Sequence, residues 1–163
     1  MLYMPDIESN YIKEFEAEVL VSGDDHVVLD RTAFYPEGGG QPSDTGRLKW
    51  TDKESKVKKV EKKGKIIHRI EGPIPRAGTT VTGYIDWQKR YEHMKLHTAQ
   101  HLFSAAVFEM FGGKTVGNQI YTNYSRVDFE PVKFSEDSIQ TLEDEVNRVI
   151  EKERPVAIYE EQR

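Results

Sequence analysis

The 163 residues predict an α+β protein, a small N-terminal β-barrel followed by an α+β region built on one long helix. Three observations carry that prediction. Up to Asp86, short apolar runs alternate with turn residues at the roughly 8–12-residue spacing of barrels and sandwiches. At Asp86 the pattern changes to a long run of helix formers that ends at Gly112-Gly113. Beyond the glycines, one alternating segment and one capped amphipathic segment follow. The change of period divides the chain into residues 1–86 and 87–163.

In the first region, Val19 to Val21 and Val27 to Leu29 flank Ser-Gly-Asp-Asp, which is hairpin chemistry. Further strands are expected at "DTGRLKW", "SKVKKVEKK", "GKIIHRIEG" and "TTVTGYIDW", with Gly64 and Gly78 at turns. The lysine run from Lys53 to Lys65 reads most simply as a solvated hairpin. In the second region Asp86 is the expected N-cap of the long helix. Its positions Met94, His97, His101, Ala105 and Phe108 follow helical spacing, so both histidines are expected on the core-facing stripe. "TVGNQIYTNYSRVDFEP" then reads as a hairpin, and Ser135 caps a helix carrying Ile139, Leu142, Val146 and Ile150 on one face. "PVAIYEEQR" reads as the beginning of a strand, which suggests a chain shortened at its C-terminus, with a naturally short, inactive paralogue as the alternative.

The composition is that of a globular protein able to bury a core, with 37% hydrophobic and 31% charged residues. No apolar run reaches the ~20 residues of a membrane span, and the first residues lack a basic-then-apolar leader, so a cytoplasmic location is expected. Without cysteine, disulfides and thiolate catalysis are excluded, and a transition metal would draw on His and carboxylates of this chain. A formal charge of −5 argues against bulk attraction to nucleic acid, although local basic patches are compatible with it.

Two apparent motifs fail on inspection. "FGGKT" lacks the glycine five residues before Gly113, where Phe108 stands, and follows a helix where a P-loop follows a strand. "HTAQH" has zinc-protease spacing, but Thr98 occupies the place of the Glu base. What remains is geometry: side chains four residues apart on a helix lie ~5–6 Å apart at Cβ, so His97 and His101 can reach one metal ion. Neutral core histidines are the competing explanation. A hydrolytic zinc site needs a third ligand, and Asp128, on the strand after the helix, is one conceivable neighbour.

The remaining unusual stretch is "DRTAFYPEGGGQPSDTG", where Gly38, Gly39 and Gly40 lie between Pro36 and Pro42. Such a backbone takes positive φ and approaches a ligand closely; a tight β connection needs glycine as well. "RTAFYPEGGGQPSDTG" together with "HTAQHLFSA" resembles the editing domain of alanyl-tRNA synthetases, and most closely the free-standing trans-editing alanyl-tRNA deacylases of the AlaX type, in their medium form. The resemblance runs from about Glu16 to the C-terminus.

What the resemblance implies is hydrolysis of serine, or glycine, from mischarged tRNA(Ala), at a zinc ion with His97 and His101 as ligands. The family completes that site with a Cys-x-x-x-His motif, and this sequence has neither a cysteine nor a histidine after His101. The chain is therefore expected to hold zinc weakly or not at all, and to be inactive or impaired as it stands. By position in the motifs, Thr32 would face the aminoacyl group and discriminate serine from alanine. Gln100 would orient the substrate, with Asp128 and Gln119 beside the pocket. Gly38, Gly39, Gly40 and Gln41 would approach the acceptor end, and Arg90 would touch phosphates. Two other readings stay open: a non-catalytic module that binds the tRNA acceptor arm, and a metal-dependent hydrolase of small esters.

Overall fold

The computed structural model describes residues 1–3 and 6–157. Among them the chain forms two compact units, one of residues 1–3, 6–38 and 42–91, the other of residues 39–41 and 92–157. The expected strand at the C-terminus lies mostly outside the described residues.

The first unit is a closed antiparallel barrel. Its strands are β1 (Glu14–Ser22), β2 (His26–Leu29), β3 (Gly46–Trp50), β4 (Lys53–Lys63), β5 (Lys65–Glu71) and β6 (Thr80–Ile85). Around the barrel they run β1-β2-β5-β4-β3-β6. The period of two is plain in β1, where Phe15, Ala17 and Val19 are buried while Glu14, Glu16 and Glu18 are exposed. Phe34, Val19, Val27, Leu48 and Val60 are fully buried at the centre, each contributing about 1.5–3 kcal/mol of apolar burial. Closure also needs a glycine at one crossing, because a Cβ on Gly46 would lie 2.1 Å from the Tyr84 carbonyl oxygen.

Two buried polar pairs hold this unit. Arg90 and Asp44 are both inside, with Nε 2.9 Å from Oδ1 and Nη2 bonded to Oδ2. The remaining Arg90 donors reach the Asn10 carbonyl at 2.9 Å and the Ala33 carbonyl at 2.7 Å. A buried guanidinium is tolerable only with such thorough pairing. This corrects one expectation: Arg90 is a structural clamp whose donors are engaged internally, so it does not present itself to phosphates.

The second pair is Thr32 and His68. The His68 Nδ1 lies 3.3 Å from the Val27 carbonyl, which can only accept, so Nδ1 carries the hydrogen. Its Nε2 then accepts from the Thr32 hydroxyl at 2.9 Å, and the same hydroxyl accepts from the Phe34 N–H at 3.1 Å. Burial pushes the His68 imidazole down to about 4, against the opposing pull of the Val27 carbonyl.

The long helix α1 (Trp87–Phe111) starts after Asp86 and ends at Gly112, which takes φ 70°. Its first residues belong to the first unit and the rest, from Glu92, to the second. The second unit also contains the hairpin β7 (Lys114–Ile120) and β8 (Ser125–Glu130), and α2 (Glu136–Ile150). Ser135 caps α2 by accepting from the Ser138 N–H, while Ser138 reaches back to the Ser135 N–H. Val107 and Leu142 form the buried centre, with Phe103, Phe111, Phe129 and Phe134 packed around them.

The face of α1 differs from the expected one. The buried positions from Glu92 onward are His93, Gln100, Ala106 and Val107, whereas His101, Ala105 and Phe108 are exposed. Apolar residues are spread nearly all around this helix, so spacing alone does not select a face. His97 is half-buried.

Candidate functional site

The second unit brings together the glycine turn, the histidine pair and strand β7. His97 and His101 stand on adjacent turns of α1 with ring centroids 5.0 Å apart and planes 16° from parallel. His97 Nδ1 lies 2.7 Å from Gln41 Oε1. An amide oxygen only accepts, so Nδ1 carries the hydrogen and Nε2 is left with its lone pair. Burial, and then the neighbouring His101, hold the His97 imidazole below its ordinary range, so it is neutral near pH 7.

The glycine turn is fastened to β7 from its other side. Gly39 and Gly40 have φ 60° and 78°. The Ile120 N–H donates to the Gly40 carbonyl at 2.8 Å, and Gln119 Nε2 donates to the same oxygen at 3.1 Å. Asn118 Nδ2 bridges the Gly39 carbonyl at 3.1 Å and Gln100 Oε1 at 3.3 Å. A Cβ on Gly40 would meet the Asn118 side chain at 2.7 Å, so close approach as well as φ calls for glycine there.

Gln100 is buried rather than turned to solvent. Its Nε2 donates to Ser104 Oγ at 2.9 Å, which also receives the Thr115 hydroxyl at 2.8 Å. An open, mostly apolar cavity of about 660 Å³ is lined by Leu96, Gln100, Phe103, Tyr124, Ser125 and Val127. The Ser125 hydroxyl is buried there without a hydrogen-bond partner among the described residues.

The sequence-predicted residues thus separate into groups. His97, His101, Gln100, Gln119, Gly39, Gly40 and Gln41 share the second unit, and all but the exposed His101 and Gly39 are at least half-buried. Asp128 also belongs to it, but its carboxylate is 2.9 Å from Arg126 Nε on the outside of the hairpin. Thr32, Gly38 and Arg90 belong to the barrel unit; Gly38 accepts from the Tyr35 hydroxyl at 3.2 Å. Asn118, Ser104 and Thr115 were missed by sequence reasoning. Their signal was weak: polar residues at a strand and a helix, legible only once the partner across the turn was known.

As a metal site the donors are incomplete. Two imidazole nitrogens are present, one with its tautomer fixed as a ligand histidine requires. Among the described residues no three His, Cys, Asp or Glu side chains gather as a ligand set. A hydrolytic zinc centre takes three protein ligands and an open position, and these two histidines supply only part of it.

A closed barrel, followed in sequence by a long helix whose paired histidines meet a fastened glycine turn, makes this an α+β protein. Residues 7–89 match the family described as "tRNA synthetases class II (A)", and the chain belongs to that family. Over 157 residues it is 44% identical to the alanyl-tRNA editing protein AlaX-M of Methanosarcina barkeri, covering 91% of this chain and 65% of that protein. It is 39% identical to the alanyl-tRNA editing protein AlaX-L of Pyrococcus horikoshii, covering 92% of this chain and 39% of that one. The alanine–tRNA ligase of Pyrococcus furiosus is 44% identical over 91% of this chain and 17% of its own length. The chain thus spans just under two thirds of the AlaX-M relative and a small part of the ligase.

Proposed function

We propose that this chain acts in hydrolysing the ester that joins serine, or glycine, to tRNA(Ala), and so removes a wrong amino acid in trans. The observation that carries the proposal is the tie between Gln41 and His97: the glycine motif and the histidine motif, distant in sequence, meet at 2.7 Å in one unit. The relatives' names, alanyl-tRNA editing protein among them, support the substrate class.

The chemistry is attack of water on the ester carbonyl carbon, with the ribose oxygen leaving and taking up a proton. In this chain, Gln41 holds His97 so that a lone pair on Nε2 is available, and Asn118 and Ser104 hold the Gln100 amide in place to orient a polar substrate group. A bound zinc ion would supply Lewis acidity, and His97 and His101 are the two residues here that would contribute to holding it.

The test is release of labelled serine, glycine and alanine from the three charged forms of tRNA(Ala) by the purified protein. Serine or glycine release above the spontaneous rate, with alanine retained, is expected in place of the inactivity that the lack of a Cys-x-x-x-His motif suggested, because the relatives' names support a deacylase and nothing in them supports inactivity. A protein that binds tRNA with ordinary salt dependence and hydrolyses none of the three would be the non-catalytic module instead.

A further inference from the structure

The barrel is electrically divided in a way the net charge conceals. From Arg47 to Arg76 there are eleven Lys and Arg against four Asp and Glu, a formal +7; residues 1–46 hold two against ten, a formal −8. The basic segment forms β3, β4 and β5, which are contiguous around the barrel, and the acidic segment supplies β1 and β2, which are neighbours of each other. The barrel therefore has a basic wall of three strands and one acidic strand, β1, whose Glu14, Glu16 and Glu18 are exposed, whereas β2 carries no Asp or Glu. An overall charge of −5 repels a polyanion at long range, but a segregated wall attracts it locally.

The basic wall also extends into a ribbon. The pairing of β5 with β2 ends at Val27↔His68, and that of β4 with β3 ends at Gly46↔Val57. The loop before β3 covers β4 only as far as Val60, through the Glu37 N–H and Ser43 Oγ. Beyond that point, among the described residues, β4 and β5 pair only with each other, at Glu61↔Ile67, Lys62↔Ile66 and Lys63↔Lys65. Gly64 closes the turn, and a Cβ there would meet nothing within 4 Å, so the tip stands clear. Lys62, Lys63 and Lys65 are exposed at that tip.

Half of the eight lysines between Arg47 and Arg76 have a carboxylate partner, Lys49 with Glu54 at 3.4 Å and Lys63 with Glu61 at 3.5 Å among them. Lys58 and Lys59 pair with Glu71 and Glu37 at 2.8 and 2.7 Å, whereas among the described residues no carboxylate lies within 4.0 Å of Lys53, Lys56, Lys62 or Lys65. Lys63 and Lys65 face each other directly, an arrangement of like charges that weakens a strand pair. Beside the wall, Lys13, Arg47, Lys56, Lys58, Tyr84 and Trp87, together with Glu14, Glu54 and Asp86, line an open cavity of about 780 Å³. Lys13 stands over the Trp87 ring at 4.8 Å and Arg47 over Tyr84 at 5.0 Å, which places flat aromatic surface beside the cations.

We propose that the β3–β4–β5 wall, with its lysine-tipped ribbon, docks the phosphate backbone of the tRNA, a proposal that rests on tRNA being the partner. Lysines on an exposed edge also discourage strand-to-strand aggregation, and that role needs only one or two of them. It does not account for three neighbouring strands rich in Lys and Arg, nor for cations and aromatic rings around one cavity. Phosphates spaced along an RNA strand fit both features, and a sequence-independent backbone contact needs no base readout.

The experiment uses the purified protein with all three tip lysines changed, Lys62→Gln, Lys63→Gln and Lys65→Gln, and a control on the acidic strand, Glu16→Gln with Glu18→Gln. Binding to uncharged tRNA(Ala) transcript is followed by filter retention over a salt series, and thermal melting checks the fold. The lysine variant is expected to melt like wild type, to bind about tenfold more weakly at low salt, and to show a salt slope lower by roughly 2, at about 0.7–0.9 per lost phosphate contact. The acidic-strand variant should bind no worse than wild type. If wild type binds and the lysine variant binds equally with an unchanged slope, the ribbon proposal is overturned and the tRNA partner stands. No binding by wild type removes the partner itself. Loss of binding to phosphatidylserine vesicles, with tRNA binding unchanged, assigns the ribbon to a membrane surface and overturns the proposal.

Discussion

Polar groups are used in opposite ways in the two units. In the barrel unit, Arg90, Asp44, Thr32 and His68 are buried and their hydrogen-bonding capacity is almost wholly engaged by one another and by carbonyls. In the second unit His97 has one nitrogen fixed and one with a free lone pair, His101 is exposed, and Ser125 has a buried hydroxyl without a partner among the described residues. Buried polar groups that satisfy one another make a scaffold. Polar groups held from one side and open on the other make a site.

The largest effect should come from breaking the scaffold. Asp44→Asn leaves a buried guanidinium without its charge partner, which costs about 3–5 kcal/mol, to be read from urea unfolding. The site residues should behave in the reverse manner. His97→Ala should lower the rate of serine release by about 100-fold, near 2.7 kcal/mol in the barrier, with little change in unfolding midpoint. Comparable losses of stability in both variants would erase the distinction between the units.

Acidity offers a way to sharpen it. The folded His68 titrates at about 4 against an ordinary 6.5, so between those values the unfolded chain binds the proton that the folded one refuses. Stability attributable to His68 is therefore complete above about pH 6.5 and falls as pH drops toward 4. At pH 5 the loss should be roughly 2 kcal/mol relative to about pH 7.5. Urea melts of wild type and His68→Gln at both pH values check this, the variant lacking that part of the difference. The smallest effect should be that of Gln41→Ala: about tenfold in kcat from a less constrained His97, with KM and melting temperature nearly unchanged.

Much of the architecture was legible beforehand. All six barrel strands, the long helix, the hairpin and the capped α2 fall where turn residues and periodicity place them, because each element announces itself by local chemistry. The buried face of α1 was not legible. Leu96, Leu102, Phe103, Val107, Phe108 and Phe111 surround the axis, and only tertiary packing selects among them. Arg90 was misjudged for a related reason. A guanidinium seen in sequence suggests solvent or phosphate, and its partner Asp44 lies 46 residues away. Of the site, the two motifs were visible but their connection was not, since Gln41 is 56 residues from His97. Asn118, which ties the glycine turn to Gln100, carries no motif at all.

The most direct test of an editing site at His97 is serine release from Ser-tRNA(Ala), measured side by side for the purified wild type and His97→Ala. Hydrolysis by the wild type above the spontaneous rate is expected, and about 100-fold less by a variant that remains folded. Equal rates in the two proteins, or none above background in either, would contradict it.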